Sequence, residues 1–315
     1  MDGAGCGEGE GGGCPPGRPE PRPLKDDSPS PAGRGIRLLV LDIDGTLTDS
    51  RHEIRADTLA ALERAKEAGI DLLLATGRRY RDVLAVADRL GVGGPIVTAS
   101  GALVKRIDDH VTLSRATFAP GVLSAVLDIV DAGGFEPILY SDSFHDGFDF
   151  HCRRLPAPGG GTPGVAEYLA RNAHLARVAA DLLVDPPEGI FAGFTMGTRD
   201  AMLALERDVA AACPGHLSTH VIRSPRYRDW MCEIAPQGVT KWSGVRAIAA
   251  TAGIPAAAIC AVGDDVNDLP MIRAAGLGVA MGNAADEVKG AADLTVAAND
   301  DGGIADLVDR LLAGR

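Results

Sequence analysis

No two cysteines in this chain stand in a C-x-x-C pair. The six occupy positions 6, 14, 152, 213, 232 and 260. That scatter argues against a zinc site and a disulfide framework, and it fits a reducing compartment, the cytoplasm. No apolar run reaches the ~20 residues a membrane helix needs, so no membrane partner is expected. A basic patch is missing as well. Formal net charge is −12, and RSPRYRD (223–229) is short and carries its own aspartate. Nucleic acid is therefore not an expected partner, because backbone phosphates would be repelled. Residues 1–35 are almost all Gly, Pro, charged and small residues. They cannot bury a core, lack the apolar stretch of a signal peptide, and are expected to form a disordered tail. There is no Walker A sequence, and GLGVAMG (276–282) lacks the dinucleotide-binding spacing. An EF-hand at 42–53 fails because Leu47 stands where that loop needs glycine and a strand precedes it.

What remains is an ordinary globular chain of 315 residues, 46% hydrophobic, long enough for two domains. IRLLVLD (36–42), IDLLLAT (70–76), PIVTAS (95–100), AAICAVGD (257–264), LGVAMG (277–282) and DLTVAA (293–298) read as strands of a buried parallel sheet. Helices alternate with them: DTLAALERAKEAG (57–69), with Asp57 as N-cap and Gly69 as stop, then 80–91, 241–253, a short one after 268, 285–292 and 302–313. Between about 115 and 236 the pattern changes to helices at 120–134 and 200–213 and more amphipathic strands at 135–141, 190–197, 218–224 and 228–235. RRLPAPGGGTPG (153–164) reads as a flexible surface loop, and SDSFHDGFDFH (141–151) as a solvated hairpin. The expected fold is α/β: a doubly wound, Rossmann-like core in two pieces, 36–114 and 237–315. An α+β domain, 115–236, is inserted over the carboxyl ends of the strands, where such sheets bind ligands.

Three of those strands stop at polar clusters. The first runs into Asp42 and Asp44, the second into Thr76, Gly77 and Arg78, and the third into Asp264, Asp265, Asn267 and Asp268. One such cluster would serve as a helix cap. Three at one sheet edge point to a hard divalent cation, which takes oxygen ligands. Asp42 and Asp44, two apart on an extended chain, face the same way.

Taken together, DIDGTLT, ATGR, the lysine of APQGVTKWSG and GDDVNDLPMIRAAGLGVAMGNAADEVKGAAD resemble the haloacid dehalogenase superfamily. The likeness is strongest to its Cof-type phosphatases, with a large class IIB cap, and it spans residues 38 to about 310. The resemblance implies a Mg2+-dependent phosphatase acting on a small phosphate ester, such as a sugar phosphate or phosphorylated cofactor. Asp42 would be the nucleophile that forms an aspartyl-phosphate, and Asp44 the general acid and then base. Mg2+ would be held by the carboxylates of Asp42 and Asp264 and the backbone carbonyl of Asp44. Thr76 and the Gly77 N–H would bind phosphoryl oxygens, Lys241 would neutralise charge, and Asn267 would touch the phosphoryl group. Asp268 would order metal-bound water or Lys241. A phosphomutase on the same scaffold and a catalytically idle metabolite sensor are the alternatives. Arg78 is open between substrate contact and solvated side chain, Asp265 is expected at the surface, and Ser100 is given no side-chain contact.

Overall fold

The computed structural model describes residues 35–155 and 161–313. The expected tail, apart from Gly35, and the middle of the expected loop at 153–164 lie outside the described residues. In chain order the elements begin with β1 (Leu38–Leu41), α1 (Ala56–Glu67), β2 (Asp71–Leu74), α2 (Tyr80–Leu90), β3 (Pro95–Thr98), β4 (Leu103–Arg106) and β5 (Thr112–Arg115). The middle holds α3 (Val122–Ala132), β6 (Ile138–Ser141), β7 (Phe150–Cys152), α4 (Pro163–Asn172), β8 (Ala176–Val178), β9 (Ile190–Gly197), α5 (Arg199–Ala212), β10 (Leu217–Arg223) and β11 (Trp230–Pro236). The chain closes with α6 (Lys241–Thr251), β12 (Ile259–Gly263), α7 (Leu269–Ala274), β13 (Leu277–Ala280), α8 (Asp286–Ala291), β14 (Leu294–Thr295) and α9 (Gly303–Leu312).

The first sheet is parallel, in the order β14-β13-β12-β1-β2. Every residue of β1 and β12 is buried, as expected for strands covered on both faces. Leu41 sits level with Val262 on one side and Leu74 on the other. That register brings the ends of β1, β2 and β12 to one edge, about 5 Å from strand to strand. Residues that are more than two hundred positions apart in sequence thereby become neighbours.

β3 departs from the expectation of a further parallel strand. It meets the first sheet through one parallel bridge, Ala75 to Val97, and otherwise pairs antiparallel with β4 in a three-stranded sheet, β3-β4-β5. The reversal occurs at Ala99, Ser100 and Gly101, all at positive φ. A side chain at Gly101 would put its Cβ 2.0 Å from the Thr240 carbonyl oxygen, so only glycine fits the turn.

The middle region forms a six-stranded sheet in the order β10-β11-β9-β6-β7-β8, antiparallel except for β7 with β8. Alternation along β11 sends Cys232 and Ile234 into a cluster with Val126 of α3 and Met202 and Leu205 of α5. Met231 and Glu233 take the opposite face. Phe194 and Met196 of β9 share that face and pack with Val165, Tyr168 and Leu169 of α4. The helix α4 begins at Pro163, inside the expected loop; proline suits a first helical turn because its missing N–H has no intrahelical partner there. The N-cap of α1 is Arg55, not Asp57, whose carboxylate accepts from the Thr58 N–H inside the first turn.

The expected solvated hairpin is exposed at its tip, residues 145–147, but two of its acids are held by cations from the other part of the chain. Asp149 accepts from Arg81 at 3.0 Å, and Asp142 pairs with the buried Lys105 at 2.6 Å. With the 2.8 Å bond from Arg79 to Asn172, these contacts pin the six-stranded sheet's unit against α2 and β4.

Candidate active site

A cavity of about 290 Å3 lies between the carboxyl edge of the parallel sheet and the face of the six-stranded one that carries Phe194, Met231 and Glu233. Asp42, Asp44, Thr76, Gly77, Lys241, Asp264 and Asn267 all line it. Asp268, the remaining residue singled out from the sequence, is fully buried behind Lys241.

Lys241 organises the floor. A reciprocal cap between Thr240 and Ser243 fixes the start of α6, which sets Lys241 in its first turn. The ammonium is 2% exposed and donates to Asp42 Oδ1 at 2.6 Å and Asp268 Oδ1 at 2.7 Å. The other oxygen of Asp268 accepts from the backbone N–H groups of Asp264 and Asp265, at 3.0 and 3.1 Å. Asp264 in turn accepts from the Thr46 hydroxyl at 2.9 Å.

The acids outnumber the cation. Burial, with the charge of Asp268, pushes the Asp42 carboxyl up to about 7 despite Lys241. Burial and the charges of Asp42 and Asp268 also raise the Asp264 carboxyl well above its ordinary value. The Lys241 ammonium is raised as well: burial opposes its charge, but Asp268 and Asp42 outweigh that and hold the proton firmly.

Oxygens of Asp42, Asp264 and Asp268 lie within 4.8 Å of one another. Those of Asp268 are already taken by Lys241 and two backbone donors, which leaves Asp42 and Asp264 to face a shared ion. Crowded, under-neutralised carboxylates of this kind fit a hard divalent cation. Gly45 makes room for them. It sits at φ +77°, and a Cβ there would fall 2.3 Å from Asp264 Oδ2.

The carboxylate of Asp44 is engaged elsewhere. Arg78 grips it in a two-pronged pair, both bonds at 2.7 Å. Burial would raise this carboxyl, but the hydrogen bonds and charge of Arg78, aided by Arg226 and His52, bring it below the ordinary value. Arg78 is therefore a partly buried partner of Asp44 rather than a solvated side chain.

Thr76 is buried and its hydroxyl accepts from the Arg78 N–H at 3.2 Å. Beside it the strained turn after β3 brings Ser100 into contact with the site. The Ser100 hydroxyl donates to Glu233 at 2.8 Å and lies 3.5 Å from Asn267 Nδ2. The sequence reading gave Ser100 no contact and passed over Glu233. Its signal was the alternation of CEIA, which puts an acid opposite two apolar residues in a strand. Burial raises the Glu233 carboxyl above its usual range, since Ser100, Lys241 and Asn267 only partly offset the loss of water. Asp265 lines the cavity too and accepts from the Val266 N–H, so it is not a plain surface acid. The far wall includes Arg79, Tyr140, Tyr168, Phe194, Met196, Tyr227 and Met231, which sequence patterning did not mark, and the stretch 222–226 with Arg223 and Arg226.

Fold and cavity define a capped α/β hydrolase whose acids and lysine meet at the carboxyl ends of parallel strands. A model of haloacid dehalogenase-like hydrolases matches residues 39–151 and 178–308. The chain belongs to that family, in its Cof-type branch, and is a hydrolase acting on phosphate esters. It is 30% identical over 275 residues to the 5-amino-6-(5-phospho-D-ribitylamino)uracil phosphatase YitU of Bacillus subtilis, covering 85% of this chain and 94% of that one. A phosphoglycolate phosphatase of Pyrobaculum neutrophilum is 30% identical over 282 residues, covering 89% and 97%. A haloacid dehalogenase-like hydrolase from Bacteroides thetaiotaomicron has a similar structure, with a TM-score of 0.71 at 26% identity, covering 88% of this chain and 100% of that one.

Proposed function

We propose that this chain is a cytoplasmic, Mg2+-dependent phosphatase of small phosphorylated metabolites that works through an aspartyl-phosphate on Asp42. The observation that carries the reading is the pairing of Asp42 with the buried Lys241 at 2.6 Å in the same cavity as Asp264. A phosphatase needs its nucleophilic oxygen beside a fixed positive charge. Residues 36–114 and 237–315 act as the catalytic core in this reading, and 115–236 as the cap that supplies specificity. The four cysteines among the described residues are free thiols, which supports a reducing compartment.

The substrate phosphoryl group lies against Thr76, the Gly77 N–H, Asn267 and Lys241. The free carboxylate oxygen of Asp42 attacks phosphorus, the bond to the leaving oxygen breaks, and Asp44 delivers a proton to that oxygen. Water then attacks the same phosphorus and gives its proton to Asp44, and the phosphate–Asp42 bond breaks. Mg2+, held by Asp42, Asp264 and the Asp44 backbone carbonyl, would supply charge neutralisation between the anionic nucleophile and ester. Asp44 cannot donate a proton while Arg78 holds it ionised. The acid's role therefore requires Arg78 to let go of Asp44 during the reaction. Hydrolysis of p-nitrophenyl phosphate that depends on Mg2+ tests the reading; no metal-dependent turnover would favour a binding protein instead.

Asp44→Asn should lower turnover of a sugar phosphate by about 10²–10⁴-fold, the range of general acid–base catalysis. The loss for p-nitrophenyl phosphate should be smaller, because its leaving oxygen needs less help from a proton. Equal losses on the two esters would remove Asp44 from the acid's role.

Stability should couple pH to the cation. Between the ordinary carboxyl value near 4 and about 7, the folded metal-free chain keeps a proton on Asp42 that the unfolded chain has lost. This site's contribution to metal-free stability therefore falls as pH rises through that window. The cation requires the deprotonated carboxylates, so its affinity rises over the same window. The increase in Tm on adding MgCl2 should be larger at about pH 8 than at about pH 6. A larger increase at the lower pH would mean that the cation is not held by Asp42 and Asp264.

A further inference from the structure

We infer that the leaving group accepted by this cavity carries an anionic group of its own, a carboxylate or a second phosphate, which Arg223 and Arg226 bind. This rests on the phosphatase reading and adds the chemistry of the group that departs.

The first support is the state of the charges around the cavity. Three of its cations are committed: Lys241 to Asp42 and Asp268, Arg78 to Asp44, and Arg79 to Asp82 at 2.8 Å. Arg223 and Arg226 also line it, and among the described residues neither side chain forms an ion pair. With a net charge of −12 the chain is not short of carboxylates. The cavity's remaining acids are engaged elsewhere. Glu233 accepts from Ser100, Asp265 accepts from the Val266 N–H, and Asp264 faces the cation site. Glu233 also stands three residue pairs from Arg223 along β10 and β11, roughly 10 Å away. Unpartnered positive charge therefore gathers at the hairpin end of the cavity. A guanidinium presents a planar fork of N–H groups that matches a carboxylate or a phosphate.

The second support is the mounting of those arginines. Residues 224–229 join β10 to β11, and α4 secures them. The Gly164 N–H donates to Asp229 at 2.8 Å, the Arg228 N–H donates to Glu167 at 3.1 Å, and Asn172 donates to the Tyr227 hydroxyl at 3.0 Å. Gly164 packs so closely that a Cβ there would fall 2.3 Å from the Arg228 carbonyl oxygen. Arg223 and Arg226 flank the buried Ser224, whose hydroxyl accepts from the Tyr227 N–H at 3.2 Å and keeps its own proton for a further acceptor. Two like charges three residues apart on one fixed turn repel each other, and an anion bound between them removes that cost. Arginines kept only for solubility need no such mounting.

The test uses isothermal titration on the full chain carrying Asp42→Asn, so that esters bind without turning over. 3-Phosphoglycerate and glycerol 3-phosphate differ in one carboxylate, and fructose 1,6-bisphosphate and fructose 6-phosphate in one phosphate. At least one anionic ester should bind about tenfold or more tightly than its counterpart with a neutral leaving group, and the pair that shows the preference tells carboxylate from phosphate. Raising NaCl should shrink that preference. Both arginines are exposed, so Arg223→Gln and Arg226→Gln should fold. Adding either should remove most of the preference while the counterpart loses clearly less, and Arg226→Lys should keep part of it, because the charge remains without the fork. No preference in either pair would overturn the inference. Equal losses on an anionic ester and its counterpart would also overturn it, by placing the arginines on the transferred phosphoryl group that all four esters share. Turnover of p-nitrophenyl phosphate by the unmodified chain separates the two readings. Turnover without preference for the anionic esters sinks the inference alone, and the preference without turnover sinks the phosphatase alone.

Discussion

Asp42→Asn should abolish phosphate release, by about 10⁴-fold or more, if Asp42 is the covalent nucleophile proposed above. The substitution keeps the size of the side chain and an oxygen that can still accept from Lys241. It removes only the charge and the second lone-pair-bearing oxygen that would attack phosphorus. The fold should survive. Lys241 keeps Asp268 at 2.7 Å, so the ammonium is not orphaned. Because burial already pushes the Asp42 carboxyl up to about 7, its charge is a liability above that pH in the metal-free protein. The variant should therefore be at least as stable as the parent at about pH 8 without Mg2+, as circular dichroism melts would show. Residual turnover within about tenfold of the parent would assign the attack to another group, water included.

The contrast between loss of activity and retention of stability follows from how the site is assembled, and it bears on what the sequence could reveal. The ends of β1 and β12 were legible because a buried parallel strand is apolar throughout, so the first acid after it marks the sheet edge. Asp42 and Asp264 both come directly after such runs, and their strands are neighbours in the sheet. Lys241 was marked by the family resemblance of APQGVTKWSG, and the cap that sets it at the start of α6 emerges from the structure. Other contacts depend on distant partners. Glu233 and Ser100 are 133 positions apart and Arg78 and Asp44 are 34 apart. The alternation of CEIA could have marked Glu233, but nothing in either segment names the partner across the fold. The swing of β3 away from the parallel sheet depends on a turn in which Ala99 and Ser100 adopt φ of +47° and +53°, where residue type predicts otherwise. Strain of that kind persists where surrounding structure holds it, here with Ser100 between Glu233 and Asn267. β7 and β8 have three residues each, too short for alternation to register.

Lys241→Met should cost both activity and stability, the opposite profile to Asp42→Asn. Methionine fills much of the lysine's volume, so packing is nearly kept and electrostatics decide the outcome. The buried ammonium now stands between Asp42 and Asp268, with Asp264 beside them. Its removal leaves three clustered carboxylates without a cation, and breaking a buried pair in this way costs about 3–5 kcal/mol. The metal-free melting temperature should fall by roughly 10 °C for that loss. The Asp42 carboxyl, already raised by burial, rises further once the lysine is gone, so the penalty should be greatest at high pH and shrink as acid neutralises it. Saturating Mg2+ should restore part of the stability by supplying positive charge, yet turnover should remain down by about 10²–10³-fold, because the fixed charge beside the attacked phosphoryl group is lost. Asp268→Asn combined with Lys241→Met should recover stability without recovering activity. A single variant that melts like the parent at about pH 8 without metal would mean that water, not Lys241, neutralises these acids.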